Sequence, residues 1–285
     1  VNRASFSEQG VLPVRPGRAV SGGLATTAAV VGLAQLLPAI SSLRLVRNRW
    51  MPRLAGVGTH GHVALTFDDG PDSNSTPAFL DALDGLKWRA TFFMLGNMAS
   101  ASPEVAAEVA RRGHEVAVHG ARHCNQLGRS PAWVTRDMVA ARDIIEELTG
   151  TAPRWVRPPY GALSGSTLAG AYRAGLHPVL WTTWGRDWRP AATPESIVGD
   201  VTHTLVPGAT VLLHDSDCTS SPGSWKATLG ALPLLAERWK ARGLEVGPLC
   251  EHWAPEHGGT ERGGTERGAR EGEPGRAEGT RAGGG

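Results

Sequence analysis

Between His62 and Val246, apolar runs of strand length alternate at short, regular intervals with amphipathic stretches of helical period. No other property of the chain restricts its fold so strongly. Strands separated by helices are buried on both faces and read as near-continuous apolar runs, and helical crossovers force neighbouring strands to lie parallel. The spacing predicts strands at His62–Phe67, Ala90–Leu95, Glu115–His119, Trp155–Arg157, Pro178–Thr182, Ala209–His214 and Leu244–Val246. Helices are predicted over Ser75–Leu86, Pro103–Arg112, Pro131–Thr149, Ser164–Ala174, Pro194–Val206 and Gly223–Arg242. Ser75 and Ser164 stand where N-caps belong, prolines open several helices, and Gly113, Gly150, Gly175 and Gly243 follow their ends. Such an α/β chain closes naturally as a parallel barrel or barrel-like sheet, with its chemistry at the C-terminal ends of the strands.

The 285 residues, 41% of them hydrophobic, suffice for one substantial core or two small ones. A formal charge of +2 conceals an asymmetry, because residues 1–53 hold seven arginines against a single acid, Glu8, and the remainder is net acidic. This argues against a nucleic-acid binder and for contact between the N-terminal segment and an anionic membrane surface. Residues 1–18 have the composition of an unstructured arm. Residues 19–43 carry no charge and approach the length of a bilayer crossing, although Gly22, Gly23, Gln35 and Pro38 weaken it. A signal anchor, a cleaved signal and a helix packed on the following domain all fit that stretch, and a membrane-associated or extracytoplasmic location is slightly favoured. Past Trp253 the run Gly-Gly-Thr-Glu-Arg occurs twice and almost nothing apolar remains. The chain therefore divides into a basic arm with an apolar helix (1–56), a catalytic domain (57–253) and a low-complexity, disordered tail (254–285). Cys124, Cys218 and Cys250 are too few and too scattered for a disulfide framework or a cysteine zinc site. Pairing of Cys124 with Cys218 stays open, with inert thiols the favoured reading.

Five stretches carry residues of catalytic type, and each also has a plainer explanation. Thr66-Phe67-Asp68-Asp69-Gly70-Pro71-Asp72 ends the first strand with adjacent carboxylates, whose repulsion a cation would relieve. One aspartate on a metal and the other off it would supply ligand and base, whereas the plain alternative is a turn rich in turn-formers. His119-Gly120-Ala121-Arg122-His123 places two imidazoles four residues apart, on one face of a helical turn; with one carboxylate they would leave a metal position open to water. Arg157-Pro158-Pro159-Tyr160-Gly161 sets a guanidinium at a strand end, to orient an aspartate or to cap a loop. Trp181, Trp184 and Trp188 surround Asp187 and would serve either a core or a sugar-stacking groove. His214 ends the run Val211-Leu212-Leu213, as a core imidazole or a general acid.

Together these stretches, over residues 61–252, resemble the polysaccharide deacetylases, the family 4 carbohydrate esterases, whose five motifs appear here in order. The resemblance implies a distorted (β/α) barrel of about seven parallel strands and removal of N-acetyl groups from a peptidoglycan- or chitin-like glycan. It implies Asp68 as base, Asp69, His119 and His123 as ligands of a divalent metal, zinc foremost, and Arg157 as orienter of the base. It further implies an Asp187–His214 pair with His214 as acid, Leu212 in the acetyl pocket and the Tyr160 N–H at the oxyanion; Trp184 and Trp188 would line the groove. The chain departs from the family at Gly120, where Ser or Thr is usual, at Trp184, where many members carry an acid, and in a long polar loop, 216–225. An O-acetyl esterase, a deacetylase of a small or lipid-linked glycoside, and a glycan-binding module without activity are the alternatives.

Overall fold

The computed structural model describes residues 47 and 49–253, and β1 (His62–Asp68) runs through its centre with every residue from Val63 onward buried. The expectations for residues 1–43 and for the tail lie outside the described residues. After β1 come β2 (Thr91–Met94), β3 (Glu115–Val118), β4 (Trp155–Val156), β5 (His177–Pro178), β6 (Thr183–Trp184), β7 (Thr210–His214) and β8 (Glu245–Gly247). All pair in parallel, in the order β5-β4-β3-β2-β1-β7-β6. Ala64 pairs with both Thr210 and Gly247, so β8 lies opposite β7, on the edge of β1 that β2 takes up higher along the strand. This is the expected distorted (β/α) barrel.

The helices are α1 (Pro52–Ala55), α2 (Thr76–Leu86), α3 (Gly96–Ala101), α4 (Pro103–Arg111), α5 (Pro131–Thr149), α6 (Gly165–Arg173), α7 (Pro194–Thr204) and α8 (Trp225–Lys240). Alternation along the strands sorts side chains between two environments. Val63, Leu65, Phe67, Phe92, Met94, Val116, Val118, Val211 and Leu213 belong to the main core, with residues of the helices. Phe67 stacks on Phe92 and meets Phe79 of α2 edge-on, with centroids 5.1 and 5.2 Å apart. The intervening residues, Ala64, Phe93 and Ala117, form a second, smaller cluster. Thr66, Asp68, Leu212 and His214 fall on that second face, so a strand apolar almost throughout delivers polar groups to the interior only near its end.

Three expectations are corrected. The predicted strand Pro178–Thr182 gives way to β5 and β6, which lie at opposite ends of the sheet path, paired with β4 and β7. Between them Val179 N–H bonds the Val156 carbonyl, Leu180 N–H the Leu54 carbonyl and Thr182 N–H the Thr210 carbonyl, so the chain crosses from one edge to the other beside α1. Ser164 caps α6 by accepting from Thr167 N–H, whereas the Ser75 hydroxyl caps nothing and donates to the Asp215 carbonyl at 2.5 Å. His119–His123 is loop, not a helical turn, because Gly120 takes a left-handed φ of 98°. Cys124, Cys218 and Cys250 are free thiols.

Candidate active site

The C-terminal end of β1 carries Asp68 on the inner face, and a left-handed φ of 77° at Asp69 turns the chain so that its carboxylate joins the same cluster. Gly70 follows where a side chain has no room: an added Cβ would lie 2.3 Å from the buried Asp215 carboxylate. Asp215 in turn accepts from the Thr76 hydroxyl at 2.5 Å, and burial pushes its carboxyl up to about 7.

Asp69 Oδ1 is buried without a hydrogen-bond partner and lies 3.4 Å from His119 Nε2 and 3.6 Å from His123 Nε2. One donor atom from each of the three residues lies within 4.8 Å of the others. His119 donates from Nδ1 to the Arg157 carbonyl at 2.8 Å, which leaves the Nε2 lone pair directed at the cluster. Burial opposes charge on His119, yet Asp68 and Asp69 hold its pKa above the ordinary value. Burial would raise Asp69 too, but His119, His214 and His123 pull it well below the carboxylate range. An orphaned carboxylate oxygen and two imidazole lone pairs converging in a negative field are the donor set a divalent cation requires, so these residues fit a metal. Thr219, in the polar loop, donates to Asp69 Oδ2.

Asp68 sits beside this triplet and pairs with Arg157, Nη1 to Oδ1 at 2.6 Å. Arg157 is wholly buried; it also donates to Thr66 Oγ1 at 2.8 Å and the Leu180 carbonyl at 3.0 Å, and lies 4.0 Å above the Phe93 ring. Nearby, His214 donates from Nδ1 to Asp187 at 2.9 Å, and Asp187 Oδ2 accepts from the His214 backbone N–H and from Thr228 of α8. Burial lowers the His214 pKa, but Asp187 above all, with Asp69 and Asp68, raises it to about 10.

A cavity of about 280 Å³ joins these groups, lined among others by Leu212, Tyr160, Trp184 and Trp188. Trp188 meets Trp184 and His214 edge-on at 5.2 and 5.8 Å, and the Tyr160 ring meets His123 at 4.3 Å. All eleven residues singled out from the sequence thus gather at one site. His114 lies elsewhere, before β3, accepting Ala90 N–H at 3.3 Å. Sequence reasoning missed Thr66, Thr219, Thr228 and Asp215. Hydroxyls have no distinctive spacing, and Thr228 is a helix residue far along the chain from the aspartate it braces.

A parallel α/β barrel thus collects imidazoles, carboxylates and a buried guanidinium at its strand ends, around a cavity walled by tryptophans, an arrangement with the groups that metal-assisted hydrolysis uses. Comparison with known proteins narrows this: residues 56–179 match the polysaccharide deacetylase family. A chitooligosaccharide deacetylase of Bradyrhizobium sp. (strain ANU 289) is 38% identical over 196 residues, 66% of this chain and 88% of that protein. A peptidoglycan-N-acetylglucosamine deacetylase of Bacillus cereus is 31% identical over 207 residues, 69% of this chain and 73% of that one. The crystal structure of the Bc1960 peptidoglycan N-acetylglucosamine deacetylase overlays with a TM-score of 0.65 at 28% identity, covering 72% of this chain and 95% of the other. The chain belongs to the polysaccharide deacetylase family, the family 4 carbohydrate esterases.

Proposed function

We propose that this chain is a metal-dependent deacetylase that removes N-acetyl groups from an acetamido-sugar glycan, peptidoglycan or chitin-like, and releases acetate. The observation that carries the reading is the Asp69–His119–His123 triplet, with the Asp68–Arg157 and His214–Asp187 pairs beside it on one cavity. Asp69, His119 and His123 would hold a divalent ion, zinc foremost. When bound, the ion supplies Lewis acidity, which lowers the pKa of water and polarises a carbonyl.

Asp68 is the base. The Arg157 guanidinium and its own ties to Thr66 and Leu180 fix the carboxylate, which takes a proton as water attacks the acetyl carbonyl. The Tyr160 N–H donates to the developing oxyanion, a contribution of about 3 to 4 kcal/mol for such a donor. Leu212, 4% exposed at the cavity wall, packs the acetyl methyl. His214, kept protonated by Asp187, gives its proton to the amine nitrogen as the C–N bond breaks. Trp184 and Trp188 stack on the sugar. Acetate and a glucosamine unit leave.

The catalytic domain is taken as residues 57–253. Peptidoglycan lies outside the cytoplasm, and this supports an extracytoplasmic site of action, with residues 19–43 at the membrane. Among the described residues, no helix is long and apolar enough to cross a membrane.

The test is acetate release by the zinc- or cobalt-loaded full chain from chito-oligosaccharides, peptidoglycan and acetylated xylan, with metal-stripped protein as control. Metal-dependent release from the N-acetyl substrates is expected. Asp68→Asn should lose turnover while binding metal stoichiometrically, and His119→Ala should lose both. Near-full activity in Asp68→Asn would overturn the mechanism; release from xylan alone would mean an O-acetyl esterase.

A further inference from the structure

The polar loop 216–225 runs from the end of β7 to α8, and two of its consecutive residues reach Asp69. The Cys218 thiol lies 3.4 Å from the Asp69 backbone carbonyl, to which it donates, and the Thr219 hydroxyl donates to the carboxylate oxygen Oδ2. The loop is itself fixed on both sides of this grip. Ser216 Oγ donates to Asp72 Oδ2 at 3.4 Å and accepts the Cys218 N–H at 3.2 Å. Asp217 accepts the Ser220 N–H on its carbonyl at 3.0 Å and the Gly223 N–H on its side chain at 2.5 Å, and the Ser221 N–H reaches the Trp188 carbonyl at 3.3 Å. Thr219 therefore meets Asp69 from a backbone that is already held, so that little further ordering is needed to make the bond.

Asp69 is a residue that needs holding. Its φ of 77° is a left-handed backbone that a non-glycine residue keeps only where its surroundings impose it. Its two carboxylate oxygens are also divided in use. Oδ1 has no hydrogen-bond partner and faces His119 Nε2 and His123 Nε2 at 3.4 and 3.6 Å. Oδ2 takes the Thr219 hydroxyl and lies 4.0 Å from His214 Nε2. Without that hydroxyl a carboxylate could turn both oxygens to a cation, or swing Oδ2 towards the His214 imidazole. With it, one oxygen is committed to the loop and the other alone is offered to the histidine cluster.

We propose that Thr219 is a positioning residue of the metal centre: its hydroxyl fixes Asp69 Oδ2 so that Oδ1 alone faces the ion, which makes the loop 216–225 part of that centre. The proposal rests on the reading of Asp69, His119 and His123 as metal ligands and is independent of which glycan is used.

The experiment measures zinc affinity of the full chain by competition with a chromogenic chelator, and the visible absorption spectrum of the cobalt-loaded chain, in wild type, Thr219→Val and Thr219→Ser. Thr219 is an exposed loop residue, and valine keeps its shape while removing the hydroxyl. Thr219→Val should bind zinc about tenfold or more weakly and shift the cobalt ligand-field bands. Thr219→Ser, which restores a hydroxyl, should bind within about threefold of wild type and show the wild-type spectrum; this rescue separates a missing hydrogen bond from a disturbed loop. Wild-type affinity in Thr219→Val, or a Thr219→Ser variant as weak as Thr219→Val, would overturn the proposal. A wild-type chain that takes up no zinc or cobalt would sink the metal-centre reading together with it, whereas equal affinities in all three proteins would remove the role of Thr219 alone.

Discussion

At the scale of single residues, the site is governed by what each carboxylate is tied to. Asp68 is held by a guanidinium, Asp69 faces two imidazole nitrogens, and Asp187 is spent on His214 and Thr228. Three aspartates of one sequence type thus occupy three electrostatic settings. For His214 the sign is direct. As the proposed acid it would act protonated; its pKa is raised to about 10, so that function would persist through neutral pH and be lost as pH rises through that value. A cation on Asp69 would cancel part of the pull, placing the basic limb somewhat below 10. Asp187→Asn removes the largest source of the shift, so the basic limb of kcat/KM should move down by about one unit or more, with activity at neutral pH falling roughly 10²-fold. A pH-rate profile of the two proteins checks this, and an unmoved limb would show that another group is the acid. The grouping of these side chains was legible because Asp-Asp, His-x-x-x-His and the strand-end arginine and histidine are rare placements for charged groups. Thr219, Thr228 and Thr66 were not, since each acts through a hydroxyl that the chain brings near by folding alone.

At the scale of elements, the loop after β3 shows how one departure from the family is absorbed. Gly120 stands where a hydroxyl is usual, at a φ of 98°, and an added Cβ would lie 3.0 Å from Asp137 Oδ2 of α5. Burial raises the Asp137 carboxyl, offset by the Ala121 N–H and Arg122, so a carboxylate from a helix occupies the space beside Gly120. Gly120→Ser would be strained by its backbone and crowded by Asp137, at a cost of about 1 to 3 kcal/mol. Asp137→Ala should leave the fold intact and weaken metal binding roughly tenfold, measured by competition with a chelator. Equal affinity in Asp137→Ala would mean that the loop is held by its backbone alone. Helix and strand existence was readable from periodicity across most of the domain. The exceptions have physical reasons: α3, Gly-Asn-Met-Ala-Ser-Ala, opens on two weak helix formers and, at six residues, is too short to show a period. The helical turn expected at His119 failed because Gly120 leaves the helical region.

For the whole molecule, the barrel has a chemical end and a structural end, and the second sets its acid tolerance. His252 is buried and lies within 3.2 Å of the Gly56 and Gly208 carbonyls, while His114 sits at the entry to β3. Burial lowers both to about 4. The unfolded chain binds protons on these groups near pH 6.5, and the folded one does not until about 4. Their stabilisation is therefore complete above 6.5 and is lost as pH falls through 4, on the order of 3 kcal/mol apiece. Urea unfolding of the metal-free chain should lose stability from pH 6.5 to 4. His114→Gln should reduce the proton uptake on unfolding near pH 5 by about one; an unchanged slope would refute the assignment. The interruption between β5 and β6 has a consequence of a different kind. In a fully laddered barrel the carbonyls of Leu180 and Trp181 would be consumed by a neighbouring strand. Here they are left to receive side chains, and the two they receive are Arg157, which holds Asp68, and Arg47. The seam in the sheet thus works as a pair of sockets for guanidinium groups, and a chain that closed its barrel there would have to find other anchors for both.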